Sequence, residues 1–310
     1  MKEESGQKTA FVSIVGRPNV GKSSILNALL GSKIAIVSHK PQTTRTRIMG
    51  ILTQAETQLV FIDTPGLLKP RNRLGEYMVK SVLQSVSGVD ACLLVEEAGT
   101  KISPSALELI EKFRQQHIPA ILALNKIDLL QDKSVLMAQI AELSKLYSFQ
   151  AVVPISAKTH SGMDSLTEEL KKLAQPGTHL FDDDALTDQP ERVIASEIVR
   201  EKMLRLLSSE VPHGVAVSVE RMSEREGRGG DDITDISATI FCERESHKAI
   251  IIGKGGTMLK KIGTYAREDM EKFFGCKINL KLWVKVKENW RNQEAALRSF
   301  GYDSSDFDES

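Results

Sequence analysis

Only three cysteines occur in 310 residues, Cys92, Cys242 and Cys276, far apart and without C-x-x-C spacing. That excludes a disulfide scaffold and a cysteine zinc site, and suits small buried thiols in a reducing compartment. No apolar run approaches the length needed to cross a bilayer. The polar start, Met1 to Lys8, has no signal-peptide core. Both point to the cytoplasm. The 41 Lys and Arg balance the 41 Asp and Glu, so overall charge selects no partner and only its distribution carries information. There is no internal repeat and no low-complexity tract. What remains, 41% hydrophobic and 26% charged residues, builds ordinary cores for about two domains.

The first half alternates between apolar runs and helical stretches. Strands are expected at Ala10–Val15, Gln58–Ile62, Ala91–Val95, Ala120–Leu124 and Ala151–Ile155, with helices at Ser103–Gln116 and Ser134–Tyr147 among those between them. Strands this apolar are buried on both faces, which predicts an α/β fold with a parallel sheet. Between the first strand and a helix ended by Gly31 lies Gly16-Arg17-Pro18-Asn19-Val20-Gly21-Lys22-Ser23-Ser24, which fits the phosphate loop G-x-x-x-x-G-K-[ST]. Free N–H groups and the positive helix end make an anion site. Lys22 is expected on the β- and γ-phosphates and Ser23 on Mg2+.

Asn125-Lys126-Ile127-Asp128 follows a strand and selects the base. The Asp128 carboxylate can accept from guanine N1–H and the exocyclic amine, a pair that adenine lacks. Asn125 can bridge base and phosphate loop, and the Lys126 stem can cover the ring. Asp63-Thr64-Pro65-Gly66 is expected to hold Mg2+ through Asp63 and to sense the γ-phosphate through the Gly66 N–H. The backbone of Ser156-Ala157-Lys158 can contact guanine O6. Either Thr43 or Thr44, in Pro41–Arg45, is the candidate switch threonine that joins Ser23 and Asp63 at the metal. Together Lys22, Thr43, Thr44, Asp63 and Gly66 form the expected catalytic set.

The order and spacing of these elements resemble the GTP-binding domain of translation-factor-type GTPases over residues 10–175, a P-loop NTPase fold. Ras-like enzymes carry a water-orienting glutamine after the D-x-x-G element, where this chain has Leu67. The chain therefore resembles GTPases with a hydrophobic residue there. Asn19 either recruits a potassium ion, as in related GTPases, or only shapes the loop.

A polar linker, 176–190, separates a second pattern over 191–302: helix, strand, strand, helix, glycine turn, helix, strand. This is an α+β order that fits a type II KH domain. Ile252-Gly253-Lys254-Gly255-Gly256 carries a G-x-x-G loop, followed by Lys260 and Lys261. Such loops clamp nucleic-acid backbone. Between Arg244 and Arg298 thirteen Lys and Arg face six Asp and Glu, a local basic excess suited to phosphates. The alternation from Leu280 to Lys287 puts lysines and Trp283 on one face, with Trp283 expected to cover the domain edge. The loop Glu224–Asp232, residues 1–9 and the acidic tail 303–310 are expected to be flexible.

A GTPase domain followed by a type II KH domain resembles the Era family of bacterial ribosome-assembly GTPases. Further matches are Ala195 to Lys202, Leu282 to Lys287, and Ala296 to Tyr302. The resemblance implies binding and hydrolysis of GTP to GDP with Mg2+ as cofactor, and potassium is a second cofactor if Asn19 takes the first of its two roles. It also implies binding to the 3′ end of 16S ribosomal RNA, a role in maturation of the 30S subunit, a monomeric state, and peripheral association with the inner membrane. Ser196, Glu197 and Arg200 join the glycine loop as expected RNA contacts on this basis. The competing readings are a tRNA-modification GTPase, a GTP-regulated membrane-associated signalling protein, and an RNA-binding protein with a decayed nucleotide pocket.

Overall fold

The computed structural model describes residues 6–40, 42–67, 70–132, 134–208, 211–227 and 232–302. Pro41, residues 228–231 of the charged loop and the acidic tail 303–310 fall outside the described residues.

The chain begins β1(Lys8–Val15), α1(Lys22–Leu30), β2(Ile48–Gln54), β3(Thr57–Asp63), α2(Arg73–Ser85), β4(Ala91–Glu97), α3(Pro104–Gln116), β5(Ala120–Asn125), α4(Ser134–Leu146), β6(Ala151–Pro154), α5(Met163–Lys171) and the two-residue β7(Gln175–Pro176). Sheet order is β2-β3-β1-β4-β5-β6, with β7 antiparallel to the start of β1. All neighbours in that path are parallel except β2, which runs antiparallel to β3. The order reverses beside β1, so the crevice at its carboxyl end is a ligand site by topology. Helices cover both faces. Ile25, Leu26 and Leu166 pack on Val12, Phe61 and Leu93; Val82, Phe113 and Leu143 pack on Leu94 and Leu122. Caps fix the helix starts. The Asn72 side chain accepts from Gly75 N at 2.8 Å, and Ser103 caps α3 ahead of Pro104.

Two differences from the sequence expectation stand out. β2 was not anticipated. Its hairpin turns at Ala55, in the left-handed region (φ 51), without a glycine to announce it. Residues 8 and 9 lie in β1 and do not belong to a flexible arm. Part of the linker also lies fastened to the β2–β3 hairpin. The buried Gln58 amide accepts from Leu180 and Phe181 N–H and donates to Phe181 O, while Ile51 N donates to Leu186 O at 2.9 Å.

The second half holds α6(Glu191–Leu206), β8(Ala216–Glu226), β9(Asp232–Cys242), α7(Glu245–Ile252), α8(Thr257–Phe274), β10(Lys277–Val286) and α9(Glu294–Ser299). β9 is the central strand, antiparallel to β8 and parallel to β10. One face packs Ile198, Met203, Ile262 and Met270 against Ile236, Ile240 and Ile278. Trp283 is 60% exposed, which corrects the expectation that it covers an edge. The chain then returns to the first half, where Trp290, Leu297 and Tyr302 pack with Leu74, Tyr77 and Met78 of α2. The Tyr77 and Tyr302 rings meet edge to face at 5.8 Å.

Candidate functional site

A cleft of about 850 Å3 opens at the carboxyl end of the sheet, lined by the loop after β1, residues 32–33, 36–39 and 42–44, and the turns after β5 and β6. Pro18, Asn19, Gly21, Lys22, Ser23, Ser24, Gly66, Asn125, Lys126, Asp128, Ala157 and Lys158 line it. Asp63, Thr64 and Ser156 are buried and are not among the lining residues. Glycine is required at the loop by close approach. A Cβ on Gly16 (φ +147) would meet Val95 O at 2.3 Å, and one on Gly21 (φ +103) would meet Asn125 Nδ2 at 2.2 Å. One on Gly66 would lie 2.7 Å from the Pro18 backbone, so the D-x-x-G turn touches the phosphate loop.

Lys22 donates to the carbonyls of Gly16 and Arg17, each at 3.1 Å. Burial lowers its pKa to about 8, against the opposing pull of Asp63 and Glu96. Burial likewise raises Asp63 to about 6, in spite of Lys22 and Ser23. Ser23 Oγ donates to Asp63 Oδ2 at 2.6 Å and lies 2.9 Å from Thr44 Oγ1. Asp63 Oδ1 is buried with no hydrogen-bond partner. Two hydroxyls and an under-satisfied carboxylate form a hard-oxygen set that fits Mg2+, which keeps several waters and takes few protein ligands. Thr43 is not part of that set. Its hydroxyl bonds Ser38 Oγ at 2.8 Å and Lys40 O at 2.6 Å, so the geometry separates Thr44 from its neighbour.

At the base end, Asn125 Nδ2 donates to Val20 O at 2.8 Å, and its Oδ1 accepts from Ala157 N at 3.1 Å. One amide thus ties the phosphate loop to the 156–158 turn. Asp128 is exposed, with Oδ1 held by Ser156 Oγ at 2.6 Å. The Lys126 ammonium pairs with Glu97 at 2.8 Å, which lays its stem beside the cleft. Arg17 turns away to Glu97 and Thr100. Leu67 is 8% exposed and packs in the core with Val82 and Leu94, so it offers nothing to a water.

In the second half, Gly253, Gly255 and Gly256 have φ of 73, 60 and 79, a left-handed path that glycine adopts without strain. α8 begins at Thr257 with no side-chain cap; the Thr257 N–H donates to Lys254 O, which leaves the N–H groups that follow in the first turn to meet an anion. Lys254, Lys260 and Lys261 are exposed around it. A smaller groove of about 420 Å3 runs between α8 and β10, lined by Gly256, Lys260, Arg267 and Leu282 among others. Ile252 is half-buried before the loop.

The expected RNA role of Arg200 is corrected. It is 1% exposed, donates to Thr43 O and is held by Glu197. Glu197 is half-buried by that pairing, and Ser196 bonds Val193 O. Sequence reasoning missed that Lys33, Val37, Lys40, Gln42, Thr43 and Arg45 lie against the second domain. No motif signals it, because Lys33, Arg45 and Glu201 read as ordinary charged residues.

The pattern of the family described as 50S ribosome-binding GTPase matches residues 11–126, and that of the KH domain matches residues 210–291. The GTPase Era of Clostridioides difficile (strain 630) is 49% identical over 295 residues, covering 95% of this chain and 98% of the relative. That of Caldicellulosiruptor saccharolyticus is 51% identical over 296 residues, covering 95% and 97%. An Aquifex aeolicus Era variant crystallised with GDP and aluminium fluoride superposes with a TM-score of 0.90 at 38% identity, covering 96% of this chain and all of that one. A second structure, Era with MgGDPNP and nucleotides 1506–1542 of 16S ribosomal RNA, also gives a TM-score of 0.90 at 38% identity, covering 96% and 99%.

Proposed function

The chain belongs to the Era family of GTPases, and on that premise we propose that it hydrolyses GTP in its first domain while its KH domain grips the 3′ end of 16S ribosomal RNA during 30S subunit maturation. The observation that carries the reading is the pairing of two ends of one cleft. Ser23, Thr44 and the unpartnered Asp63 oxygen gather at the phosphate end, and an exposed Asp128 carboxylate waits at the base end.

Hydrolysis is attack of water on the γ-phosphorus, giving GDP and phosphate. Gly21, Lys22 and Ser23 present N–H groups to the β-phosphate, and the Lys22 ammonium leaves the Gly16 and Arg17 carbonyls for the β- and γ-oxygens. An anion beside Lys22 reverses the effect of burial and keeps it charged. The Gly66 N–H meets the γ-phosphate. Ser23, Thr44 and Asp63 would hold Mg2+, which would supply positive charge against the phosphates. Asp128, with Asn125, Lys126 and the 156–158 turn, holds guanine. Leu67 cannot orient the water, so catalysis rests on positioning and electrostatics.

Asn19 is left-handed (φ 64) and its amide donates to His39 O at 3.0 Å, which places it between the phosphate loop and residues 38–44. We assign it a potassium ion beside the phosphates. Turnover should then be roughly tenfold or more faster in potassium than in sodium at equal ionic strength, about 1.4 kcal/mol of barrier. Equal rates would end the assignment. The proposed function itself is tested by GTP hydrolysis with and without an oligonucleotide of the 16S 3′ end. Slow but measurable release of phosphate and saturable binding of the oligonucleotide are expected, and absence of both would refute it.

In the KH domain, Gly253 to Gly256, Lys254, Lys260 and Lys261 are assigned to the RNA backbone. A Cβ on Gly255 would meet nothing within 4 Å, but its φ of +60 is one that side chains rarely adopt, so Gly255→Asp adds charge and local backbone strain to the loop without a clash. It should weaken RNA binding by about tenfold or more, roughly 1.4 kcal/mol, while GTP affinity stays unchanged. The salt dependence should follow a slope of about −0.7 per phosphate contacted on a single strand. A flat salt response would count against a backbone clamp. The family resemblance also motivates a monomer in the cytoplasm with a peripheral visit to the inner membrane, where the basic start of α8 would meet anionic lipid.

A further inference from the structure

We propose that the KH domain presets the metal-site threonine: Arg200 and Arg45, holding the chain on either side of Thr44, are positioning residues for the phosphate end of the cleft. The inference rests on the GTPase reading above and adds to it a route from one domain to the other.

Thr44 is 7% exposed, with Oγ1 2.9 Å from Ser23 Oγ. Its two flanks are both held by the second domain. Before it, Arg200 of α6 donates from Nη2 to Thr43 O and from Nη1 to Gln42 O at 3.5 Å. Glu197, one turn earlier on α6, fixes that guanidinium at 2.7 and 2.5 Å. After it, Arg45 donates from Nη1 to Val215 O at 2.6 Å and from Nη2 to His213 O at 2.8 Å. The Arg45 guanidinium also lies 5.8 Å over the Trp290 ring, and Trp290 Nε1 donates to Gly214 O at 3.0 Å. Both arginines are 1% exposed.

These contacts decide between two roles for a buried arginine near a nucleotide. A transition-state arginine keeps its donors for phosphate. Here the Nη groups of both arginines donate to backbone carbonyls or to Glu197, so neither can act as one without dismantling the contact. Their effect is on backbone placement. With residue 43 held by its carbonyl and residue 45 by its side chain, Thr44 keeps its hydroxyl toward Ser23. The converse also holds. If residues 42–45 withdraw, Arg200 keeps Glu197 but loses the Gln42 and Thr43 carbonyls, and the Val215 and His213 carbonyls lose the Arg45 guanidinium, which is costly in a buried site. Retention of Thr44 at the cleft and docking of the KH domain therefore favour one another, and that coupling is reciprocal.

The chain has two tryptophans, and Trp283 is the exposed one. In a Trp283→Phe background Trp290 alone reports on the Arg45 contact. Exchange of GDP for GDPNP with Mg2+ should shift its emission. Arg200→Ala and Arg45→Lys should each abolish most of that shift and raise the Mg2+ concentration for half-maximal GDPNP binding by about tenfold, with GDP affinity kept within about twofold. Arg200→Lys, which restores one charged donor, should recover part of both readouts. Should Arg200→Ala melt early by circular dichroism, Arg200→Lys and Arg45→Lys carry the test. Wild-type emission and Mg2+ dependence in those variants would overturn the clamp while leaving the GTPase reading intact. A wild-type chain that binds no GDPNP would overturn both.

Discussion

Asp128→Asn should exchange guanine for xanthine, with GTP affinity falling by about 10^4-fold and xanthosine triphosphate taking its place. The effect is large because the site is built around an acceptor. An ionised carboxylate has no donor to offer, and Asp128 Oδ1 is already occupied by Ser156 Oγ at 2.6 Å. The remaining acceptor capacity is what faces guanine N1–H and the exocyclic amine. In asparagine, the oxygen keeps Ser156 and the amide N–H2 turns to the base, donor against donor. Xanthine has a carbonyl where guanine has its amine, so the same amide finds an acceptor. Competition calorimetry between the two triphosphates reads the exchange directly. Unchanged preference for GTP would show that Asp128 does not read the base.

That prediction could be written from the sequence, because Asn125, Lys126 and Asp128 sit together on one turn after an apolar strand. The same is true of Lys22 and Ser23, and of Gly253 to Gly256. Each motif is local, and its neighbours in sequence are its neighbours in space. The parallel sheet was legible for a similar reason, since buried strands are almost wholly apolar. β2 escaped because it is an edge strand with Gly50 at its centre. That glycine gives room to α1, as a Cβ there would lie 2.6 Å from Leu26 Cδ1 and push the leucine aside, and no run of residues along the strand reveals such a contact.

The interface between the halves was illegible for a deeper reason. Arg45 and Arg200 are 155 positions apart in the chain, yet each is held against the other domain. The family resemblance assigns Arg200 to RNA, a role that needs it at the surface. Its burial follows from acceptors on residues 42–43 that only the folded chain supplies. The choice between Thr43 and Thr44 has the same character. Adjacent threonines are equivalent in sequence, and they are separated only when Ser38 and Lys40 take one hydroxyl and Ser23 meets the other.

Glu201→Ala should destabilise the protein by about 3–5 kcal/mol, the cost of breaking a buried ion pair from one side. The Glu201 side chain is fully buried. Oε2 meets Lys33 Nζ at 2.6 Å and Lys202 Nζ at 3.1 Å, while Oε1 meets Arg205 Nη2 at 3.0 Å and accepts from Val37 N at 3.0 Å. Asp269 of α8 shares Lys33, at 2.7 Å, and Lys202. Removing Glu201 leaves two lysines on one carboxylate, with Lys202 only 5% exposed. Thermal melting should fall by on the order of 2–4 °C per kcal/mol. The pH dependence gives a second check. Burial pulls the Glu201 pKa upward, but the Lys33 ammonium, the Val37 N–H and Arg205 outweigh it, and the net value lies below that of an ordinary glutamate. A depressed folded value means that its stabilisation is complete above the unfolded pKa of about 4.3. It is lost as pH falls through the lower folded value. Glu201→Gln should therefore melt below wild type at pH 7, and the gap should close as pH drops below about 4. A Glu201→Ala protein within about 1 kcal/mol of wild type would mean that the network contributes no more than surface pairs do. The link from α6 to Lys33, Val37 and α8 would then be incidental to how the nucleotide domain holds the RNA-binding domain.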